Sequence, residues 1–267
     1  MSDSKKAILV VSFGTSYEDT RRKTLDRIED RMRKRYPDFQ VHRAWTSGII
    51  RRKIETRDGI RIQDVKGALV QMAADGITDL VVQPTHVING IENDQMLEDV
   101  NKCRHLFSHV AVGRPLLTTQ EDNRRIVQVV AQELRPAKDE ALVLMGHGTE
   151  HYANAIYAAL DYQFKDMGFP NIFMGTVEAY PALDSLIRNV RGQHPTRIIL
   201  APFMIVAGEH AENDLAGDGA GSWKSCFEKA GFEVSCILKG LGEYAGVQEM
   251  FLEHVRDALE EKNAIYE

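Results

Sequence analysis

Short apolar, β-branched runs alternate along the chain with stretches of helical periodicity. The runs are 7–13 (AILVVSF), 41–45 (VHRAW), 79–88 (DLVVQPTHVI), 110–117 (VAVGRPLL), 141–145 (ALVLM), 172–180 (IFMGTVEAY), 197–206 (RIILAPFMIV) and 233–238 (EVSCIL). Being continuous rather than alternating, they predict strands covered on both faces. The stretches between them predict helices over 17–35, 62–75, 123–134, 152–167 and 247–262. In the second of these Val65, Leu69 and Met72 share one face. Strand–helix alternation implies right-handed crossovers and parallel sheets, the doubly wound α/β class.

The pattern repeats once. Ser12-Phe13-Gly14-Thr15 at the end of the first run matches Gly146-His147-Gly148-Thr149 at the end of the fifth. The segment VVQPTHVINGIEND (81–94) matches ILAPFMIVAGEHAEND (199–214), the second copy being two residues longer. The expected organisation is an α/β half over 1–120, a connecting helix and junction over 121–140 with Arg135-Pro136 in it, and a second α/β half over 141–267. Ligands of such sheets bind beyond the carboxyl ends of the strands, so the expected active site is a cleft between the two halves.

The copies differ in their chemistry. His147 stands where the first copy has Phe13. His210, in Gly208-Glu209-His210, stands where the first copy has Gly90-Ile91-Glu92. Both histidines follow an apolar strand and a glycine, and Glu178 lies near the end of another strand run. Two imidazoles and a carboxylate suit a borderline divalent metal with coordination positions left open. The bland alternative makes His147 a helix cap and His210 a solvated loop residue; loop residues at strand ends lean towards function. His147-Gly148-Thr149-Glu150-His151 also spells H-x-x-E-H, a metalloprotease signature. That signature needs both histidines on one helix, whereas His147 leaves a strand and Gly148 disfavours a helix interior. There is no G-x-S-x-G elbow and no G-x-x-x-x-G-K-[ST] phosphate loop, so neither a serine hydrolase nor ATP is implied. His86, inside an apolar run, reads first as a hydrogen-bonded histidine. Arg51-Arg52-Lys53, just past the second strand, reads as a solvated face or as a local positive field for an acidic substrate.

Composition narrows the class further. A chain that is 43% hydrophobic and 27% charged has the makings of an ordinary packed core. The net charge of −6 leaves no basic excess for nucleic acid. Cys103, Cys226 and Cys236 are scattered, with no CxxC pair, against both a disulfide framework and a cysteine metal cluster. No apolar run reaches the ~20 residues of a membrane span, and the opening run lacks a cleavage region. A soluble, cytoplasmic protein is expected.

The chain resembles the single-chain, ATP-independent anaerobic cobalt chelatases of cobalamin synthesis. The matching motifs are LVVSFGTSYEDT (9–20), AWTSGIIRRKI (44–54), RDGI (57–60), HVING (86–90), MGHGTEHYANAIYAALD (145–161), VEAYP (177–181), PFMIVAGEHAENDLAGD (202–218), Ser222-Trp223-Lys224 and GLGEY (240–244). They run in order over essentially the whole chain. The resemblance implies a chelatase-like fold of two lobes, shared more distantly with ferrochelatases. It implies sirohydrochlorin as substrate and Co2+ as the inserted metal, with Fe2+ or Ni2+ as alternatives. The metal residues it implies are His147, Glu178 and His210; Ser12, His86, Arg51 and Arg52 are the expected substrate-binding residues. The related activities are iron insertion towards sirohaem and a non-enzymatic tetrapyrrole or metal carrier. Periplasmic members that bind haem carry a signal peptide, which this chain is not expected to have. A small-molecule tetrapyrrole is the expected partner, with no nucleic acid or membrane, and a homo-oligomer is possible.

Overall fold

The computed structural model describes residues 5–264, and they form two compact units. One comprises the residues up to Thr118 together with those from Val247 onward; the other is Thr119–Gly246. In the first unit the elements follow as β1 (Lys6–Ser12), α1 (Glu18–Lys23), α2 (Leu25–Arg35), β2 (Gln40–Trp45), α3 (Gly48–Asp58), α4 (Val65–Ala74), β3 (Asp79–Pro84), α5 (Ile91–Cys103) and β4 (His109–Val112). The second unit continues with α6 (Gln120–Leu134), β5 (Glu140–Gly146), α7 (Ala155–Asp166), β6 (Ile172–Thr176), α8 (Leu183–Arg191), β7 (Arg197–Pro202), α9 (Trp223–Lys229) and β8 (Val234–Cys236). The last helix, α10 (Ala245–Ala264), begins at the edge of the second unit and belongs for most of its length to the first.

Each unit holds a four-stranded parallel sheet with the same strand order, β2-β1-β3-β4 in the first and β6-β5-β7-β8 in the second. The repeat read from sequence is therefore also a repeat of topology. It extends to single hydrogen bonds. Just past the third strand of each sheet, Thr85 N–H donates to Val11 O and Phe203 N–H to Met145 O, both at 2.7 Å. The central strands β1 and β5 are buried along nearly their whole length because neighbours and helices cover both faces. In the first unit Leu9, Val11, Leu69, Met72, Leu80, Val82 and Met96 share a core. Val143, Met145, Phe173, Leu186, Leu200, Trp223 and Phe227 do so in the second. Helix starts are fixed locally: the Asp64 carboxylate accepts from Gly67 N–H at 2.8 Å, and Thr119 with Asp122 forms a reciprocal cap on α6.

All eight apolar runs contain a strand, but several strands are shorter than their runs. Runs 79–88 and 197–206 leave the sheet at Pro84 and Pro202, since proline has no N–H to continue a ladder. The helix expected over 17–35 is broken at Thr24, whose backbone leaves helical geometry while its hydroxyl donates to Thr20 O at 2.6 Å. Helices α3, α5, α8 and α9 were not foreseen. By contacts, 121–140 is part of the second unit and α10 returns for most of its length to the first. There the Tyr36 hydroxyl donates to Leu252 O at 2.6 Å, and Arg114 pairs with Asp257 at 2.8 Å. Among the described residues no helix is long and apolar enough to cross a membrane.

Candidate metal centre

Three strand ends of the second sheet build the site. β5 ends at Gly146 and delivers His147; β6 ends at Thr176 and delivers Glu178; β7 ends at Pro202 and leads through a short loop to His210. Because β5 lies between β6 and β7, these three exits are neighbours at one carboxyl edge. The first two are stitched together by the backbone. Glu178 N–H donates to His147 O at 3.0 Å, and Val177 N–H reaches Gly146 O at 3.0 Å. Gly148 makes the approach possible. Its φ is +87°, and a Cβ there would lie 2.9 Å from both Ala179 N and Thr176 Cβ, so any side chain would push the two loops apart.

His147, Glu178 and His210 each contribute a donor atom such that all three atoms lie within 4.8 Å of one another. A tetrahedral metal with ~2.0–2.1 Å bonds would set such atoms roughly 3.3 Å apart, so modest side-chain rotation closes the group on an ion. The imidazole rings stand edge to face, 4.7 Å between centroids and 89° between planes. His147 Nδ1 lies 2.9 Å from Gly148 O and 3.6 Å from Glu178 Oε2. His210 Nδ1 lies 2.7 Å from Asp214 Oδ2. A carbonyl and a carboxylate only accept, so both contacts call for a proton on Nδ1, and in the neutral imidazole that leaves the Nε2 lone pair for a ligand. The side chains are 44%, 54% and 35% exposed for His147, Glu178 and His210. The donor set is thus open to a large substrate rather than enclosed like a structural metal site.

The remaining expected residues lie in the first unit. Ser12 is buried, its hydroxyl accepting from Thr85 Oγ1 at 2.8 Å. His86 is buried too, with no hydrogen-bond partner on either ring nitrogen. Burial pushes its pKa down to about 4, with only the neighbouring Asn93 side chain acting the other way. Arg51 and Arg52 are in the first turns of α3. Both guanidinium groups curl back over the helix start, 3.8 and 3.6 Å from where a Gly48 Cβ would be. That turn contains no acidic residue, so the helix N-terminus and two cations reinforce one another. The H-x-x-E-H alternative falls: 147–151 is not helical, and the His151 ring accepts from Ala153 N–H at 3.2 Å. Asp214 went unread as a site residue, although its spacing of four from His210 was the signal.

Fold and donor set together describe an α/β protein of the metal-chelatase class. The chain belongs to the cobalt chelatase (CbiK) family, whose model matches residues 6–260. It is 42% identical over 256 residues to the sirohydrochlorin cobaltochelatase of Salmonella typhimurium, covering 96% of this chain and 97% of that one. It is 32% identical over 260 residues to sirohydrochlorin cobaltochelatase CbiKC of Nitratidesulfovibrio vulgaris, covering 96% and 91%. Among solved structures, SirB of Bacillus subtilis with Fe3+ superposes with a TM-score of 0.67 over 95% of each chain at 11% identity, a likeness of fold alone.

Proposed function

We propose that this protein inserts Co2+ into sirohydrochlorin on the anaerobic route to cobalamin, releasing two protons and using no ATP. The observation that carries the reading is the open His147–Glu178–His210 group at one sheet edge, in a chain of the cobalt chelatase family. Insertion replaces two pyrrole N–H protons by one dication. The metal must therefore be held by ligands that let go, and something must take the protons. Two neutral imidazoles and one carboxylate bind a borderline dication without encapsulating it. As the metal passes to the macrocycle, the released Nε2 atoms and the Glu178 carboxylate become free to accept protons. Binding energy from the substrate's peripheral carboxylates offsets the cost of bending the macrocycle so that its nitrogen lone pairs leave the plane. Arg51 and Arg52, at the positive start of α3, are assigned to those carboxylates. Ser12 and His86, being buried, contribute by shaping the ends of β1 and β3.

The test is a spectrophotometric assay of sirohydrochlorin with Co2+, with and without protein, in the absence of ATP. Catalytic acceleration over the protein-free rate is the expected result. Stoichiometric binding without turnover would make the chain a carrier instead. The same donors accept Fe2+ and Ni2+, so parallel runs with each metal rank the preference, with Co2+ expected to give the highest kcat/KM.

A further inference from the structure

The second sheet edge holds a charged side chain beside the metal group that the proposed chemistry leaves unused. Asp214 Oδ2 lies 2.7 Å from His210 Nδ1, and its side chain is 47% exposed. The turn that carries it is a single π-helical turn, Ala211–Leu215, whose bond runs from Ala216 N–H to Ala211 O at 3.2 Å. Single π turns recur at functional sites because they re-aim side chains within a helix. This one is anchored from below by Ala211 and Leu215, both fully buried. From behind, Gly217 packs so closely on the Asn213 carbonyl that a Cβ would collide with it. Between these anchors His210 and Asp214 project at i and i+4, the spacing at which side chains on one helical face meet.

Comparison of the two repeats sharpens the point. The sequence Glu-Asn-Asp ends both copies, at Asp94 and at Asp214. Four residues before Asp94 is Gly90; four before Asp214, in the copy lengthened by two residues, is His210. In the first unit the segment is plain α5, whereas in the second it becomes the π turn. The metal-site histidine and the turn that places it against a carboxylate thus occur together in one copy and are absent together from the other.

We propose that Asp214 is the positioning residue of the metal site. It acts through His210 and does not itself touch the metal. Its carboxylate accepts from Nδ1–H, which fixes the tautomer whose Nε2 keeps the lone pair. The negative charge behind the ring makes Nε2 a stronger donor, as outer-shell carboxylates do for metal-bound histidines generally. The inference rests on His210 being a metal ligand, and the experiment separates the two claims.

The full-length protein is titrated with Co2+ by calorimetry, and KM is measured separately for Co2+ and for sirohydrochlorin, in wild type, His210→Ala, Asp214→Ala and Asp214→Asn. His210→Ala loses most Co2+ affinity. Asp214→Ala loses affinity by roughly 10- to 100-fold, the range for outer-shell partners, raising KM for Co2+ while leaving KM for sirohydrochlorin and the thermal midpoint unchanged. Asp214→Asn recovers part of the loss, because its carbonyl still accepts from Nδ1–H although the charge is gone. An ion pair that merely tied down the turn would move the thermal midpoint and leave KM for Co2+ alone. Wild-type Co2+ affinity in Asp214→Ala, with His210→Ala impaired, overturns the inference. Wild-type affinity in His210→Ala removes the metal-site reading and this inference with it.

Discussion

Glu178 is the residue whose replacement separates chemistry from scaffolding. Its backbone N–H is bound to His147 O, a contact that any side chain preserves, while its carboxylate points into the donor group. Glu178→Gln keeps size and hydrogen bonding but removes the charge and the proton acceptor. Turnover is expected to fall by roughly 10²–10⁴-fold, the range for a lost general base, with the sirohydrochlorin Kd close to wild type. Weakened substrate binding at unchanged kcat would take Glu178 out of the reaction. His86 makes the opposite kind of prediction, one of stability. Folding lowers its pKa from 6.5 to about 4 by burying it. Below pH 6.5 the unfolded chain takes up a proton that the folded chain refuses until about pH 4. The stabilising contribution is therefore complete above 6.5 and is lost progressively as pH falls between those values. A shift of that size corresponds to about 3 kcal/mol. Urea unfolding at pH 7, 5.5 and 4.5 should show a steep loss in wild type and a flatter one in His86→Leu; equal slopes would assign the acid sensitivity elsewhere.

The start of α3 is an element-scale device, since neither arginine acts alone. Ser47 caps the helix by accepting from Ile50 N–H at 3.3 Å, no acidic residue follows in the first turn, and Arg51 and Arg52 fold over the same end. Asp64 is 3.4 Å from Arg51 Nη2 and tempers the field without cancelling it, being engaged as the cap of α4. Replacing both arginines with alanine should raise KM for sirohydrochlorin roughly 2- to 30-fold, at the ~0.2–1 kcal/mol typical of each exposed ion pair. It should also flatten the dependence of KM on salt, with kcat retained; an unchanged KM and salt response would return the run to a solvated face. Helix α3 also shows why parts of the fold were not legible. Only Ile54 of its eleven residues is buried, so it carries no apolar stripe to read. Helix α5 hides its stripe behind a polar start, with Asn93 buried among Met96, Val100 and Cys103. In α8 the stripe Leu183, Leu186, Ile187 and Val190 is present but spans barely two turns. The strands were legible because burial on both faces writes continuous apolar runs. His147, Glu178 and His210 were picked out because each lies at or within a few residues of the end of such a run, whereas Asp214, inside a π turn, was signalled only by its spacing of four from His210.

At the scale of the molecule the chain path matters more than the sequence halves suggest. The second unit is inserted between β4 and α10, and its last residue packs against its first helix: a Cβ on Gly246 would lie 2.6 Å from Val129 Cγ2 of α6. The first unit is completed only after that insertion, when α10 brings Glu249 to Arg31, Leu252 to Tyr36 and Asp257 to Arg114. The donors His147, Glu178 and His210, with Asp214, all lie within Thr119–Gly246, while Arg51 and Arg52 lie in the other unit. A fragment spanning Thr119–Gly246 has its own sheet and core, so it should fold and bind Co2+ with an affinity close to that of the full chain. It should not accelerate metal insertion, because the groups assigned to the substrate's carboxylates are missing. Circular dichroism, Co2+ titration and the sirohydrochlorin assay on the same preparation decide the matter. A folded fragment that does not bind Co2+ would mean that the donor set needs the first unit to take its geometry. A fragment that turns over at the full-length rate would mean that the first unit, arginines included, has no part in holding the substrate.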